Sequence, residues 1–532
     1  MTHPSATVGS SRSTWVPGWD GLVNMLAKTE SVALIGTEGR LVEVEVDVAA
    51  GLPRFSIVGL PARSVREAEQ RTRSAISASD QRWPSHRIVA NLAPGTLPKE
   101  GTHYDLPIGL GVLAADGRIP AGPLEGWICM GELALDGSLR AVPGALAAAL
   151  ECRAGGRRGL VCPAQNAPEA ALVEGVEVVA ASSLNECIGW LRGEWVPPAV
   201  SARPPAAPTS TDDLSEVRGH PGAKRALEIA AAGGHNLLLT GPPGSGKTML
   251  ARRLPGILPP MSQDESLEVT RIYSVAALLG ERPSLMRERP FRSPHHHVSV
   301  AGLVGGGAGL PRPGEASLAH HGVLFLDELA LYRRDVLETL RTPLEEGAVR
   351  IARSGGTVSF PCRFSLVAAM NPCPCGYLGD PRRRCRCSNH QIELYRGRLS
   401  GPLLDRFDLN VGMARLGKDE LLGDSLGESS DAVRRRVERA RMAQSARYAS
   451  SITTNASASK GQLAGTVPAR GRAHAVLELA ADSLGLSGRG LDRVVRVART
   501  LADLEATDEV GEDHVAEALS YRAPDGDPEM AA

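Results

Sequence analysis

The sequence predicts an α/β chain: a parallel sheet with helices on both faces, preceded by an α+β region and followed by an all-helical one. Three observations carry that prediction. A short apolar strand at 236–240 runs into a glycine loop and then a helix. A second apolar strand, Val323-Leu-Phe-Leu326, ends in two carboxylates. Residues 415–525 are charged and helical, with no strand-like alternation. Apolar strands that alternate with helices call for a parallel sheet covered on both faces.

Composition narrows the function classes. The 532 residues are 42% hydrophobic, enough for sizeable cores, and the net charge of −1 gives no global basic field to attract nucleic acid. Contact with DNA or RNA must therefore come from local patches. Only six of the 59 basic residues are lysine (28, 99, 224, 247, 418 and 460); codon bias accounts for such an excess of arginine. No run approaches the ~20 apolar residues of a membrane span. Residues 1–17 are rich in Ser and Thr and lack an apolar signal core. Nine cysteines in so long a chain do not make a secreted disulfide scaffold, and their clustering near 373–387 suits a metal in a reducing compartment. The cytoplasm is the expected location.

In chain order, residues 1–20 read as a loose tail. Residues 21–195 alternate strand-like and helical runs, with Leu41-Val-Glu-Val-Glu-Val-Asp-Val48 as a period-2 strand. Pro197, Pro198, Pro204, Pro205 and Pro208 make 196–215 an extended linker. The 216–412 segment opens with a helix at 223–232, stopped by Gly233-Gly234. Within 413–525, helices are expected at 431–448, 467–484, 489–504 and 511–522, and 526–532 is a tail. No internal repeat is evident.

The chemistry begins at Gly241, Pro242, Pro243, Gly244, Ser245, Gly246, Lys247 and Thr248, which satisfy G-x-x-x-x-G-K-[ST] between a strand and a helix. Glycines let backbone N–H groups converge on phosphate oxygens, and the helix N-terminus adds positive potential. Lys247 would neutralise the β- and γ-phosphates of ATP, and Thr248 would ligate Mg²⁺. Asp327, at the end of the second strand, would hold that Mg²⁺ through water, and Glu328 would polarise the attacking water. A third strand, 364–370, ends in Asn371, which can orient that water or simply start a turn before Pro372.

Two further features stand out. Cys373-Pro-Cys375 and Cys385-Arg-Cys387 offer four thiolates in two short pairs, suited to a structural Zn²⁺, with His390 as a replacement ligand. Val349-Arg-Ile-Ala-Arg353, Gly355-Gly356 and 357–360 read as a β-hairpin whose Arg350 and Arg353 could meet DNA phosphates or form a solvated face. The glycine-rich run 302–310 could form a second loop of that kind. His295-His-His297 resembles a metal site, but three consecutive histidines are not expected to face one ion.

These motifs, with Gly219-His-Pro-Gly-Ala-Lys-Arg225, Arg292-Ser-Pro-His-His296, Gly305-Gly-Gly307, Asn371-Pro-Cys-Pro-Cys375 and Ser400-Gly-Pro-Leu-Leu-Asp-Arg406-Phe-Asp408, resemble the YifB/ComM family of magnesium-chelatase-like AAA+ ATPases over nearly the whole chain. The resemblance implies a P-loop AAA+ core at 216–412 and a helical lid domain at 413–525. It also implies a homo-oligomeric ring, a hexamer, acting on single-stranded or branched DNA as a branch-migration helicase in recombination or natural transformation. Arg406 resembles the arginine finger that reaches a neighbour's γ-phosphate. Arg489, in Ser487-Gly-Arg-Gly-Leu-Asp-Arg493, resembles the sensor-2 arginine, with Arg493 as its rival.

Residues 21–195 resemble the ribosomal-S5-like, Lon-protease-type domain of the same family. A Lon protease needs a serine activated by a lysine. Here the serine segment reads Gly101-Thr-His-Tyr-Asp105, and no lysine lies between Lys99 and Lys224, so an inactive domain is expected. Two other functions compete: a protein-remodelling factor, and a chelatase-type motor for metal insertion, against which the N-terminal domain argues.

Overall fold

A computed structural model of the chain describes residues 25–200, 212–280, 284–307, 311–353, 356–418, 420, 427–449, 453–468 and 470–522. The expected tails, most of the proline-rich linker and residues 308–310 of the glycine-rich run lie outside the described residues, as does the Arg353 side chain. No helix among them is long and apolar enough to cross a membrane.

The described residues form two compact units, one drawn from 25–31, 42–140 and 181–197, the other from 32–41, 141–180 and 198–522. In the first, residues 43–49 of strand β1 (Glu38–Ala49) pair antiparallel with β2 (Arg87–Ala93), Glu43 opposite Ala93 through Ala49 opposite Arg87. Its burial alternates, Val42, Val44 and Val46 inward, as the period-2 run requires. Helix α1 (Asp105–Ala115) is buried along its whole length. Lys99 is fully buried and its ammonium bonds to the Pro94 carbonyl. No serine hydroxyl partners it among the described residues.

The second unit holds a five-stranded parallel sheet: β3 (Leu237–Thr240), β4 (Phe291–Arg292), β5 (Val323–Leu326), β6 (Ser365–Met370) and β7 (Leu409–Gly412), in the order β4-β5-β6-β3-β7. Every neighbouring pair is parallel, so the strand C-termini share one edge, where open α/β sheets bind ligands. Alternate residues feed opposite cores. Leu237, Leu239, Val323, Phe325, Val367 and Ala369 join one, and Leu238, Leu324, Leu326, Leu366 and Ala368 the other.

Helix α2 (Pro221–Gly233) covers the first of these faces and stops at Gly234, whose φ of 73° is the left-handed value that glycine accepts without strain. The C-terminal helices α3 (Ser430–Tyr448), α4 (Arg472–Ser483), α5 (Gly488–Leu504) and α6 (Glu512–Ser520) supply Val433, Leu477, Val497, Leu501 and Val515 to the same core. A polar pin joins lid to sheet: buried His235 bonds to Asp408 (3.2 Å) and, through Nε2, to the Thr500 hydroxyl (2.8 Å). The expected hairpin is present, Ala348–Arg353 against Gly356–Pro361, antiparallel throughout.

Candidate functional site

The glycine loop leaves β3 and enters a short helix, Lys247–Arg252, capped by Gly246 at φ 88°. Gly241 has no alternative, because a Cβ there would lie 2.3 Å from the Met413 carbonyl oxygen. Lys247 is 9% exposed, and its Nζ donates to the carbonyls of Gly241 (2.7 Å) and Pro242 (2.9 Å) and to Asn371 Oδ1 (3.3 Å). Burial lowers its pKa, against the pull of the Asp327 and Glu328 charges. No carboxylate lies within salt-bridge distance of that ammonium among the described residues. A buried cation ringed only by neutral oxygens, in a loop of glycines, fits a polyphosphate.

Strand order explains the Lys247–Asn371 contact. β6 lies between the phosphate-loop strand and the acidic strand, so Asn371, just past its end, is delivered between them. On the far side, Thr248 donates to Asp327 Oδ2 at 2.8 Å, and the Glu328 N–H donates to Oδ1 at 2.9 Å. A hydroxyl and a carboxylate held at that separation suit the hard-oxygen preference of Mg²⁺. Glu328 itself has φ 52°, a left-handed conformation that costs a non-glycine residue about 1–2 kcal/mol. Its side chain is 51% exposed.

Sequence reasoning missed one neighbour of Glu328. His296 Nδ1 stands 3.8 Å from Glu328 Oε2. The ligand nitrogens of His295, His296 and His297 lie within 4.8 Å of one another. The run forms a turn rather than a helix or strand, so no regular period separates the rings. The signal was present in the Arg292-Ser-Pro-His-His296 motif, which follows β4 and therefore emerges at the same sheet edge.

Arg406 and Arg489 are positioned away from that cluster of bonds. Arg406 follows a short helix, Gly401–Leu404, and its carbonyl accepts from Asn236 Nδ2 at 2.8 Å. Its guanidinium pairs with Glu345, and its Nε is buried without a hydrogen-bond partner. Burial lowers its pKa, and the charges of Arg493, Arg489 and Arg341 lower it further, so these cations share one region. Arg493 is buried beside Asp405 (3.5 Å) and Asp408 (3.8 Å). Arg489 is exposed in the first turn of α5.

The four cysteines converge. Sγ separations are 3.4 Å (Cys373–Cys375), 3.7 Å (Cys373–Cys385) and 3.6 Å (Cys375–Cys385), and Cys387 belongs to the same group. A tetrahedral ion with Zn–S of about 2.3 Å has edges of about 3.8 Å, so the donor set fits zinc. Burial would raise the Cys375 pKa, but main-chain N–H groups of Arg386 and Tyr377 outweigh it and bring the thiol down to about 6. Burial pushes Cys373 up to about 12. His390 is not part of the group.

A third cluster is better read as a hydrogen-bond node. Glu268 Oε2 accepts from Nε2 of both His320 and His321, each at 2.9 Å. His320 Nδ1 accepts the Arg363 N–H at 2.9 Å, so its proton sits on Nε2 and leaves no lone pair there for a metal. Burial pushes His320 down to about pH 4. Hydrogen bonds from His320 and His321 hold the Glu268 carboxyl well below the usual range. Both folded values lie below the unfolded ones; the His320 share of this stability is complete above about pH 6.5 and lost as pH falls through about 4, while the Glu268 share is lost only at more acidic pH. His320 alone accounts for about 3 kcal/mol over that window. The difference in urea midpoint between wild type and His320→Gln should therefore shrink from pH 7 to pH 4; a constant difference would remove the node's role.

Comparison with known proteins follows this geometry. Residues 213–421 match the family model described as magnesium chelatase, subunit ChlI; 44–166 match subunit ChlI of Mg-chelatase; 427–522 match the ChlI C-terminal model. The chain is 46% identical over 498 residues to an uncharacterized protein of Mycobacterium tuberculosis, covering 93% of this chain and 98% of that one. It is 44% identical over 506 residues to the uncharacterized protein YifB of Salmonella typhimurium (94% and 97%). It is 43% identical over 507 residues to the competence protein ComM of Haemophilus influenzae (94% and 97%). With the phosphate loop, the acidic strand end and this full-length likeness in hand, the chain belongs to the YifB/ComM family of magnesium-chelatase-like AAA+ proteins.

Proposed function

We propose that the chain is the subunit of a cytoplasmic ATP-hydrolysing ring, a homo-hexamer, that moves branched DNA as a branch-migration helicase in recombination or natural transformation. The observation that carries the ATPase reading is that two direct bonds, Lys247 to Asn371 and Thr248 to Asp327, stand at one sheet edge. Lys247 binds the phosphates, Thr248 and Asp327 hold Mg²⁺, Glu328 accepts a proton from water, and Asn371 orients that water. Bound Mg²⁺ supplies charge neutralisation at the phosphate oxygens. Arg406, with Arg489 nearby, serves a neighbouring subunit's nucleotide.

The DNA reading draws support from full-length likeness to a protein named for competence and from exposed Arg350 on the hairpin. Measuring ATPase rate with forked DNA, single-stranded DNA and no DNA tests it. Stimulation by forked DNA, with movement of a synthetic junction, is expected. Hydrolysis indifferent to every DNA would end the DNA reading and leave the ATPase standing. A metal-insertion motor is the second reading, because residues 44–166 themselves match a chelatase-subunit model; the N-terminal domain therefore does not weigh against it.

The cysteine group holds a structural zinc in this proposal, since four protein ligands leave no position for substrate. Full-length protein purified without chelators should carry about one zinc per chain, and Cys375→Ser with Cys385→Ser should abolish it. Elemental analysis finding no zinc in the wild type would remove the claim.

A further inference from the structure

The cysteine-clipped loop joins β6 to helix α7 (Asn389–Arg396) and has two distinct sides. Its base meets the nucleotide pocket: a Cβ on Gly376 would lie 2.6 Å from Pro243 Cδ in the phosphate loop. Asn371, bonded to Lys247, is two residues before Cys373. Its rim carries Arg382, Arg383, Arg384 and Arg386, all exposed. Among the described residues, no carboxylate lies within salt-bridge distance of any of these four.

The nearest acid in sequence is already engaged. Asp380 Oδ1 accepts the main-chain N–H groups of Arg382 (2.7 Å) and Arg383 (3.2 Å), so it closes the turn instead of pairing with a guanidinium. Arg383 lies over the Tyr377 ring at 4.2 Å and donates to the Tyr377 hydroxyl at 2.8 Å, which fixes one guanidinium in place. Four like charges within five residues repel one another, and a polyanion relieves that repulsion. Guanidinium forks match phosphate geometry. One ring on the loop is too little for a base-stacking platform, which leaves the backbone as the part recognised.

We propose that this arginine rim is a sequence-independent contact for the DNA phosphate backbone, built onto the wall of the ATP pocket. The inference rests on the DNA reading above and adds where the strand touches. DNA seated on the rim bears on a loop whose base touches Pro243 and whose first residue touches Lys247, so strand contact reaches the ATP site within one loop.

The test uses the full chain with all four arginines changed to Ala, a second protein with all four changed to Lys, and labelled poly(dT) followed by anisotropy across a KCl series. Each phosphate contact on a single strand adds about 0.7 to the slope of log affinity against log salt, so the Ala protein should lose about 3 from that slope and at least about tenfold in affinity at low salt. Stimulation of ATPase by DNA should fall with it. The Lys protein should keep most of the slope, because the charge remains. Equal binding by wild type and the Ala protein would overturn the inference and spare the DNA reading. Absence of DNA binding in the wild type would sink both. Loss of binding in the Lys protein as well would mean that shape, not charge, was removed, and would overturn the phosphate contact. Polyglutamate competing as well as unlabelled poly(dT) would reassign the rim to an acidic protein partner.

Discussion

Arg406→Ala is expected to cut ATP turnover about 10³-fold while nucleotide still binds. The phosphate loop of the same chain is complete without Arg406, since Lys247 bonds to Asn371 and Thr248 to Asp327, and among the described residues none of these bonds to it. What Arg406 offers is a cation paired with the Glu345 carboxylate and crowded by Arg341, Arg489 and Arg493. Such a concentration of positive charge suits the developing charge on a transferred phosphoryl group from another subunit. Mixing Arg406→Ala with Lys247→Ala subunits should restore part of the activity, because some interfaces then pair an intact Arg406 with an intact Lys247. Turnover by Arg406→Ala at the wild-type rate, or mixtures as inactive as either parent, would defeat action between subunits.

Glu328→Gln should bind ATP with near wild-type affinity and lose about 10²–10⁴-fold in turnover. Glutamine keeps the size of the side chain and can still hydrogen-bond, but it cannot take a proton from water. The half-exposed carboxylate stands on a strained φ of 52° beside Asp327, so the fold holds it at the mouth of the site. Lys247→Ala, in contrast, should fail to bind, because the buried ammonium is the cation that phosphate would meet. Ordinary hydrolysis by Glu328→Gln would remove Glu328 as the base and point to its neighbour His296.

Much of this site was legible in the chain alone, and for a local reason. The phosphate loop is contiguous, its glycines need positive φ at fixed places, and a strand must precede it; Gly244 (φ 78°) and Gly246 (φ 88°) show that need. The acidic strand end is likewise written in six successive residues. Elements defined by period or punctuation also emerged near their expected bounds, such as Ser430–Tyr448, Gly488–Leu504 and the antiparallel hairpin.

What sequence alone determined, then, is which residues form the glycine loop and the acidic strand end, because each is encoded within a single turn. Only tertiary structure decided who meets whom. Inserting β6 between the two motif strands brings Asn371 to Lys247, and a turn gathers three histidines and sets one of them, His296, beside Glu328. Folding the cysteine loop onto Pro243 sets an arginine rim against the nucleotide pocket. Strand order and loop path depend on burying two apolar faces at once, a condition spread over the whole unit that no short window of sequence contains.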